Sequence, residues 1–294
     1  MPDLVWSRDG ANWPHHDASR FVTSASLRWH VQEMGAESLD RPVVLLIHGT
    51  GAATHSWRGL MPLLARDHRV IAIDLPGHGF TQTPAPQRLS LIGMSADIAQ
   101  VLRALDVVPD IVVGHSAGAA ILARMCLDGR IAPTLLVSLN GAFLPFAGLA
   151  GHVFSPLAKL LVANPIVPKL FAWQAGSIGA VERLLRDTGS TIEPEGVAQY
   201  RRLVQSPAHV ASALRMMSNW QLEPLVRDLP TLQTKLLLVA AENDRTISPD
   251  VARKVHALVP GSTLLRLPGL GHLAHEEKPS VVADVILAHA PRQS

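Results

Sequence analysis

Ile111-Val112-Val113-Gly114-His115-Ser116-Ala117-Gly118-Ala119-Ala120-Ile121-Leu122-Ala123-Arg124-Met125 reads as a strand, a sharp turn and a helix, with a serine at the apex. The apolar run Ile111 to Val113 suits a buried strand, and Ala119 to Met125 suits a helix. Glycines two residues either side of Ser116 let strand and helix approach closely, so that the serine Oγ stands exposed on a strained turn. Ser116 is therefore the candidate nucleophile. The pentapeptide gains meaning only if the chain also supplies a base, an acid, an oxyanion hole and alternating strands and helices.

Outward from this turn, short apolar runs alternate with helical patterns. Arg20 to Thr23 and Leu27 to Val31 read as an antiparallel pair turned at Ser24-Ala25-Ser26. Further strands are expected at Val43 to Ile47, Arg69 to Asp74, Thr134 to Leu139, Lys235 to Ala241 and Ser262 to Leu267. Helical patterns fall at Trp57 to Arg66, Leu91 to Leu105, Pro249 to Leu258 and Pro279 to about Ala290. Near-continuous apolar strands separated by helices imply an α/β fold, with a mainly parallel eight-stranded sheet covered on both faces. Between about Phe143 and Glu223 no strand is evident, only helical patches at Leu157 to Val162, Ile178 to Arg186 and Val210 to Trp220. The expected organisation is a core over 1–142 with an irregular extension at 1–18, an inserted helical cap over 143–223, and the rest of the core over 224–294.

In an open α/β sheet the working residues gather at the carboxyl ends of strands. His48-Gly49-Thr50-Gly51 follows one such end, and the Thr50 and Ala117 amides are the expected oxyanion hole. Asp244 follows another strand, and His272 lies in Gly269-Leu270-Gly271-His272 after the last. The order serine, aspartate, histidine is the one that this kind of turn predicts. Serine is a weak nucleophile at neutral pH, so His272 has to take its proton, while the carboxylate fixes the imidazole tautomer. Glu242 is the rival acid, but Asp244 holds the motif position. Asp74-Leu75-Pro76-Gly77-His78-Gly79 reads as scaffolding. Fourteen histidines invite a metal reading, at His15-His16 or at His272-x-x-His275-Glu276-Glu277. No H-E-x-x-H or Cys/His framework accompanies them, so neither a metal site nor a cofactor is expected.

Composition narrows the classes. Hydrophobic residues make up 48% and charged residues 17% of 294 residues, which suits a globular chain with ample core. A net charge of +2 with scattered Lys and Arg leaves no nucleic-acid footprint. One cysteine, Cys126, forms no internal disulfide and reads as a structural thiol in a reducing cytoplasm. No secretory leader is read at the N-terminus. Ile131 to Ala158 lacks charge, but Pro133, Pro145, Gly148, Gly151 and Pro156 break it too often for a membrane span. From Ile131 to Ala180 the charged residues are Lys159 and Lys169 alone. Such a lid over a nucleophile suggests a large apolar pocket, with Phe143, Phe146, Trp173 and Trp220 as expected substrate contacts. Two lysines anchor nothing electrostatically, so any membrane contact is expected to be hydrophobic and transient.

With His48-Gly49-Thr50-Gly51, the loop from Asp74 to Gly79, Gly114-His115-Ser116-Ala117-Gly118, Asp244 and Gly271-His272, the chain resembles the α/β-hydrolase superfamily over nearly all of its length outside the cap. It departs from the usual pattern at Ala241, where a glycine often begins the acid loop. Trp13 to Val22, His55-Ser56-Trp57-Arg58-Gly59-Leu60 and Ser138-Leu139-Asn140-Gly141-Ala142 carry a narrower resemblance, up to about Met217. They are similar to the magnesium-chelatase accessory α/β-hydrolases encoded with bacteriochlorophyll biosynthesis enzymes. That resemblance implies work at or near magnesium insertion into protoporphyrin in a photosynthetic cell, with a tetrapyrrole or its ester as ligand and chelatase subunits as partners. The leading expectation is a serine esterase acting on an apolar substrate. A non-catalytic porphyrin-binding or chelatase-accessory protein is the rival from another class, and carbon–carbon or amide hydrolysis the rival within the fold.

Overall fold

The computed structural model describes residues 3–36, 41–145 and 179–291. Eight strands form one sheet: β1 (Ser19–Ser24), β2 (Leu27–Met34), β3 (Val43–Ile47), β4 (Arg69–Ile73), β5 (Ile111–His115), β6 (Leu135–Leu139), β7 (Lys235–Ala241) and β8 (Thr263–Leu267). Their order is β1-β2-β4-β3-β5-β6-β7-β8. The pairings from β4 to β8 are parallel, and β1 and β2 add an antiparallel edge. Ser24 pairs with Leu27, so the hairpin turns on Ala25 and Ser26, at φ 54° and 62°. Positive φ at both central residues is what matches the twist of the flanking strands.

The central strands are buried on both faces, which explains their unbroken apolar runs. Alternation survives underneath. Leu45, Ile47, Ile71, Ile73 and Val112 face the cluster that includes residues of α3 (Leu91–Ala104) and α4 (Ala117–Leu127). Val44, Leu46, Val70, Ala72 and Val113 face the opposite cluster, with α2 (Met61–Leu64) and α11 (Pro279–His289). Each such valine, leucine or isoleucine contributes about 1.5–3 kcal/mol on burial. The helix read over Trp57 to Arg66 is shorter than its pattern: a 3₁₀ turn at Thr54–Trp57 precedes the single turn of α2.

Between β6 and β7 the described residues form α5 (Ala180–Asp187), α6 (Pro194–Val204), α7 (Pro207–Ser218) and α8 (Glu223–Asp228). The sequence patterns miss α6, because Pro194-Glu195-Gly196 resembles a loop, although Pro at the first helical position favours a start. The patch at Leu157 to Val162 lies outside the described residues. After β7 come α9 (Pro249–Leu258) and, after β8, the short α10 (Ala274–Glu277). No helix among the described residues is long and apolar enough to cross a membrane.

Residues 3–18 are less irregular than expected. Trp6–Asp9 form α1, and Trp13 is buried with its Nε1–H donating to Thr54 Oγ1 at 3.0 Å. Asp3 Oδ1 accepts the Ala208 amide at 2.8 Å in the first turn of α7, where a carboxylate complements the helix dipole. Gln199 of α6 donates to the Asn12 carbonyl at 3.1 Å.

Candidate active site

Strand β5 delivers Ser116 into a turn with φ 51° and ψ −117°, a conformation that costs about 1–3 kcal/mol for a residue with a side chain. The surroundings hold it there. Its amide donates to the Leu139 carbonyl at 3.0 Å, and its own carbonyl accepts the Ala142 amide at 3.0 Å. A Cβ on Gly118 would strike the Ile47 carbonyl, and one on Gly114 would strike the Ala119 amide. The two glycines are therefore demanded by close approach, with the N-terminus of α4 directed at the serine.

Asp244 and His272 meet directly. Asp244 Oδ2 lies 2.7 Å from His272 Nδ1, while Oδ1 accepts the Thr246 and Ile247 amides at 2.7 and 2.8 Å. The carboxylate can only accept, so Nδ1 carries the proton and Nε2 is left as the basic lone pair. Ser116 and His272 line one cavity. The rival acid Glu242 is exposed and pairs with Arg266 at 3.1 Å.

Sequence reasoning missed Asn140, at φ 49° beyond β6. Its Nδ2 donates to the carbonyls of Gly271 and His272 at 3.2 and 2.9 Å, and its Oδ1 accepts the Ala241 amide at 2.8 Å. One side chain thus ties the histidine loop to the end of β7. Beneath it, His115 Nε2–H donates to the His272 carbonyl at 2.9 Å. Burial, with His275 and His272 nearby, holds the His115 ring well below the usual imidazole range, so it stays neutral beside His272.

Thr50 and Ala117 both border the cavity. Ala117 opens α4, so its amide has no acceptor within the helix. His48 braces the other loop: Nδ1–H donates to Gly49 O at 2.8 Å and Nε2 accepts the Leu75 amide at 2.9 Å. His209 of α7, also missed, binds the same loop from above. Its Nε2–H donates to Gly51 O and its Nδ1 accepts the Gly79 amide, both at 3.2 Å. Burial lowers its pKa to about 4, so the tautomer that makes both bonds persists at neutral pH. Asp74 accepts from the Thr54 and Phe80 amides and from His30 Nδ1 at 2.7–2.9 Å, a bracing arrangement remote from proton transfer.

The cavity measures about 400 Å³. Its described lining includes Val181, Leu184 and Leu185 of α5, Val210, Ala213, Leu214 and Met217 of α7, and Trp220. Tyr200 also faces it, its hydroxyl donating to Glu276 Oε1 at 2.7 Å, and Glu276 pairs with Arg58. Of the expected substrate contacts, Trp220 is on the wall. Phe143 is not: it is fully buried in the main core cluster, because the chain turns inward after Asn140 and packs the ring under Gly141. Phe146 and Trp173 lie outside the described residues. Cys126 sits away from the cavity, and burial pushes its thiol up to about 11, which suits an inert role.

Residues 42–279 match the family model described as alpha/beta hydrolase fold. The chain is 38% identical over 277 residues to the "Magnesium-chelatase 30 kDa subunit" of Rhodobacter capsulatus, spanning 94% of this chain and 96% of that one. An alpha/beta hydrolase fold protein from Burkholderia ambifaria superposes with a TM-score of 0.77 at 22% identity, over 93% of this chain and 98% of that one. A carboxylesterase of Bacillus subtilis superposes with a TM-score of 0.70 at 17% identity, over 96% and 94%. At these identities the two structures speak for the fold alone.

Proposed function

The chain belongs to the α/β-hydrolase fold family, and from that premise we propose that it is a serine esterase that forms an acyl-enzyme on Ser116 from an apolar substrate. The observation that carries this reading is the 2.7 Å Asp244–His272 contact at the wall of the cavity that Ser116 also lines. His272 Nε2 removes the Ser116 proton as Oγ attacks the carbonyl carbon. The resulting oxyanion accepts the Thr50 and Ala117 amides, each donor worth about 10²–10³ in rate. Collapse expels the alcohol, which takes the proton from His272. Water then attacks the acyl-enzyme, with His272 as base, and releases the acid and the free serine.

The relative of Rhodobacter capsulatus carries the name of a magnesium-chelatase subunit, and that name supports a setting beside magnesium chelatase, with its subunits as partners. In this reading residues 143–223 form the cap over the core. A fluorophosphonate probe is expected to label the wild type and to leave Ser116→Ala unlabelled. A folded wild type that resists the probe overturns the proposal. The same subunit name favours a second reading, a non-catalytic accessory. Ser116→Ala, expressed at normal level in a cell lacking the native gene, restores pigment on the accessory reading and fails to do so on the catalytic one.

A further inference from the structure

Helix α7 presents two faces. His209, Ser212 and Met216 are buried against the core: His209 bonds Gly51 and Gly79, Ser212 Oγ lies 3.3 Å from Thr83 Oγ1, and Met216 Sδ accepts from Thr50 Oγ1 at 3.5 Å. These contacts pin the helix over the oxyanion loop. The adjoining face, Val210, Ala213, Leu214 and Met217, borders the cavity. Helix α5 and the residue after it supply a second stripe, Val181, Leu184, Leu185 and Thr188, at the spacing of one helical face. Two apolar stripes therefore converge above Ser116. Leu184 is half exposed and marks the opening.

Size and charge then limit the occupant. A hydrocarbon carbon takes up about as much space as a water molecule, about 30 Å³, so 400 Å³ holds about 13 non-hydrogen atoms. Among the described lining residues there is no Asp, Glu, Lys or Arg, a lining that suits an uncharged chain. We infer that the cavity is the acyl site for an uncharged aliphatic chain of about eight to twelve carbons, and that Ala213 sets the length it accepts. The inference rests on the proposed acyl-enzyme chemistry; it puts the acid inside and leaves a bulkier alcohol at the mouth beside Leu184. Ala213 is the small residue of the α7 stripe, between Val210 and Met217. A phenylalanine there would add six ring carbons and take up a substantial part of the space.

The test uses p-nitrophenyl esters from acetate to palmitate with the full-length protein, and fluorophosphonate labelling in parallel. In the wild type kcat/KM is expected to rise at least about tenfold from acetate to decanoate, in line with the worth of added methylenes in an apolar pocket, and to fall again for palmitate. Ala213→Phe is expected to lower the decanoate-to-acetate ratio at least about tenfold, and Met217→Ala to move the optimum to longer chains. The second variant keeps the test decisive if the first does not fold. Labelled protein with a flat chain-length profile, or with an optimum that Met217→Ala leaves in place, overturns the acyl site while sparing the nucleophile. Folded protein that neither turns over nor labels overturns the reading beneath it.

Discussion

Asn140 links three backbone groups through one carboxamide, two carbonyls of the His272 loop and the amide of Ala241. Truncation to alanine strands the Ala241 N–H in a buried setting, at about 1–3 kcal/mol, and frees the loop that carries His272, the base of the proposed mechanism. Misplacing a catalytic group by about 1 Å can cost 10²-fold, so Asn140→Ala is expected to lower kcat for p-nitrophenyl esters about 10–100-fold with KM changed far less. An unchanged kcat in a variant of lower melting temperature would mark Asn140 as purely structural. Ser116, Asp244 and His272 can be read from the chain because glycines and strand ends flag them, in an order fixed by the turn around Ser116. Asn140 and His209 leave no such trace, since their partners lie 101–132 and 130–158 residues away. Phe143 shows the converse limit: an apolar residue beside a cavity and one in the core have the same appearance in a sequence.

The sheet is the most legible element, because the buried strands are apolar runs and most of them are closed within two residues by Gly, Pro or Asp. The N-terminal extension is the least legible. Its single-turn helix and 3₁₀ turns have no periodicity to read, and long-range contacts hold them. Trp13 joins Ala52 and Ala53 beside Gly51, Val181 and Leu185 of α5, Tyr200 and Leu203 of α6, and Leu273 after His272 in one apolar cluster. The extension therefore straps the helices of the β6–β7 interval to the core. Trp13→Ala opens a cavity in that cluster and is expected to cost about 3–5 kcal/mol. Urea unfolding measures this, and fluorophosphonate labelling should slow as the strap loosens. A loss within about 0.5 kcal/mol, the range of ordinary surface substitutions, would reduce the extension to a passive covering.

Across the whole molecule, imidazoles are buried to an unusual degree. His48, His55, His78, His115, His209 and His275 are all nearly inaccessible, and burial depresses every one of them, His209 to about 4 and His275 to about 3. An unfolded chain titrates these rings near 6.5. As pH falls below that value the unfolded state takes up protons that the folded state refuses, so stability is lost with acid until the folded values are reached. Between pH 7 and 5 the loss is about 2 kcal/mol for each ring whose folded pKa is about 4 or lower, against a total stability of about 5–15 kcal/mol. Glu276, raised by burial, works in the opposite sense but is a single group. The urea midpoint is therefore expected to fall steeply from pH 7 to 5. His275 is the ring to remove: it packs between Trp57 and His115, with neither nitrogen hydrogen-bonded among the described residues. His275→Phe keeps the aromatic packing and deletes both unpaired polar atoms. It is expected to hold or raise stability at pH 7 and to flatten the acid slope by about one ring's share, about 2 kcal/mol over that interval. A midpoint independent of pH in the wild type, or an undiminished slope in the variant, would show that these rings accept protons in the folded protein.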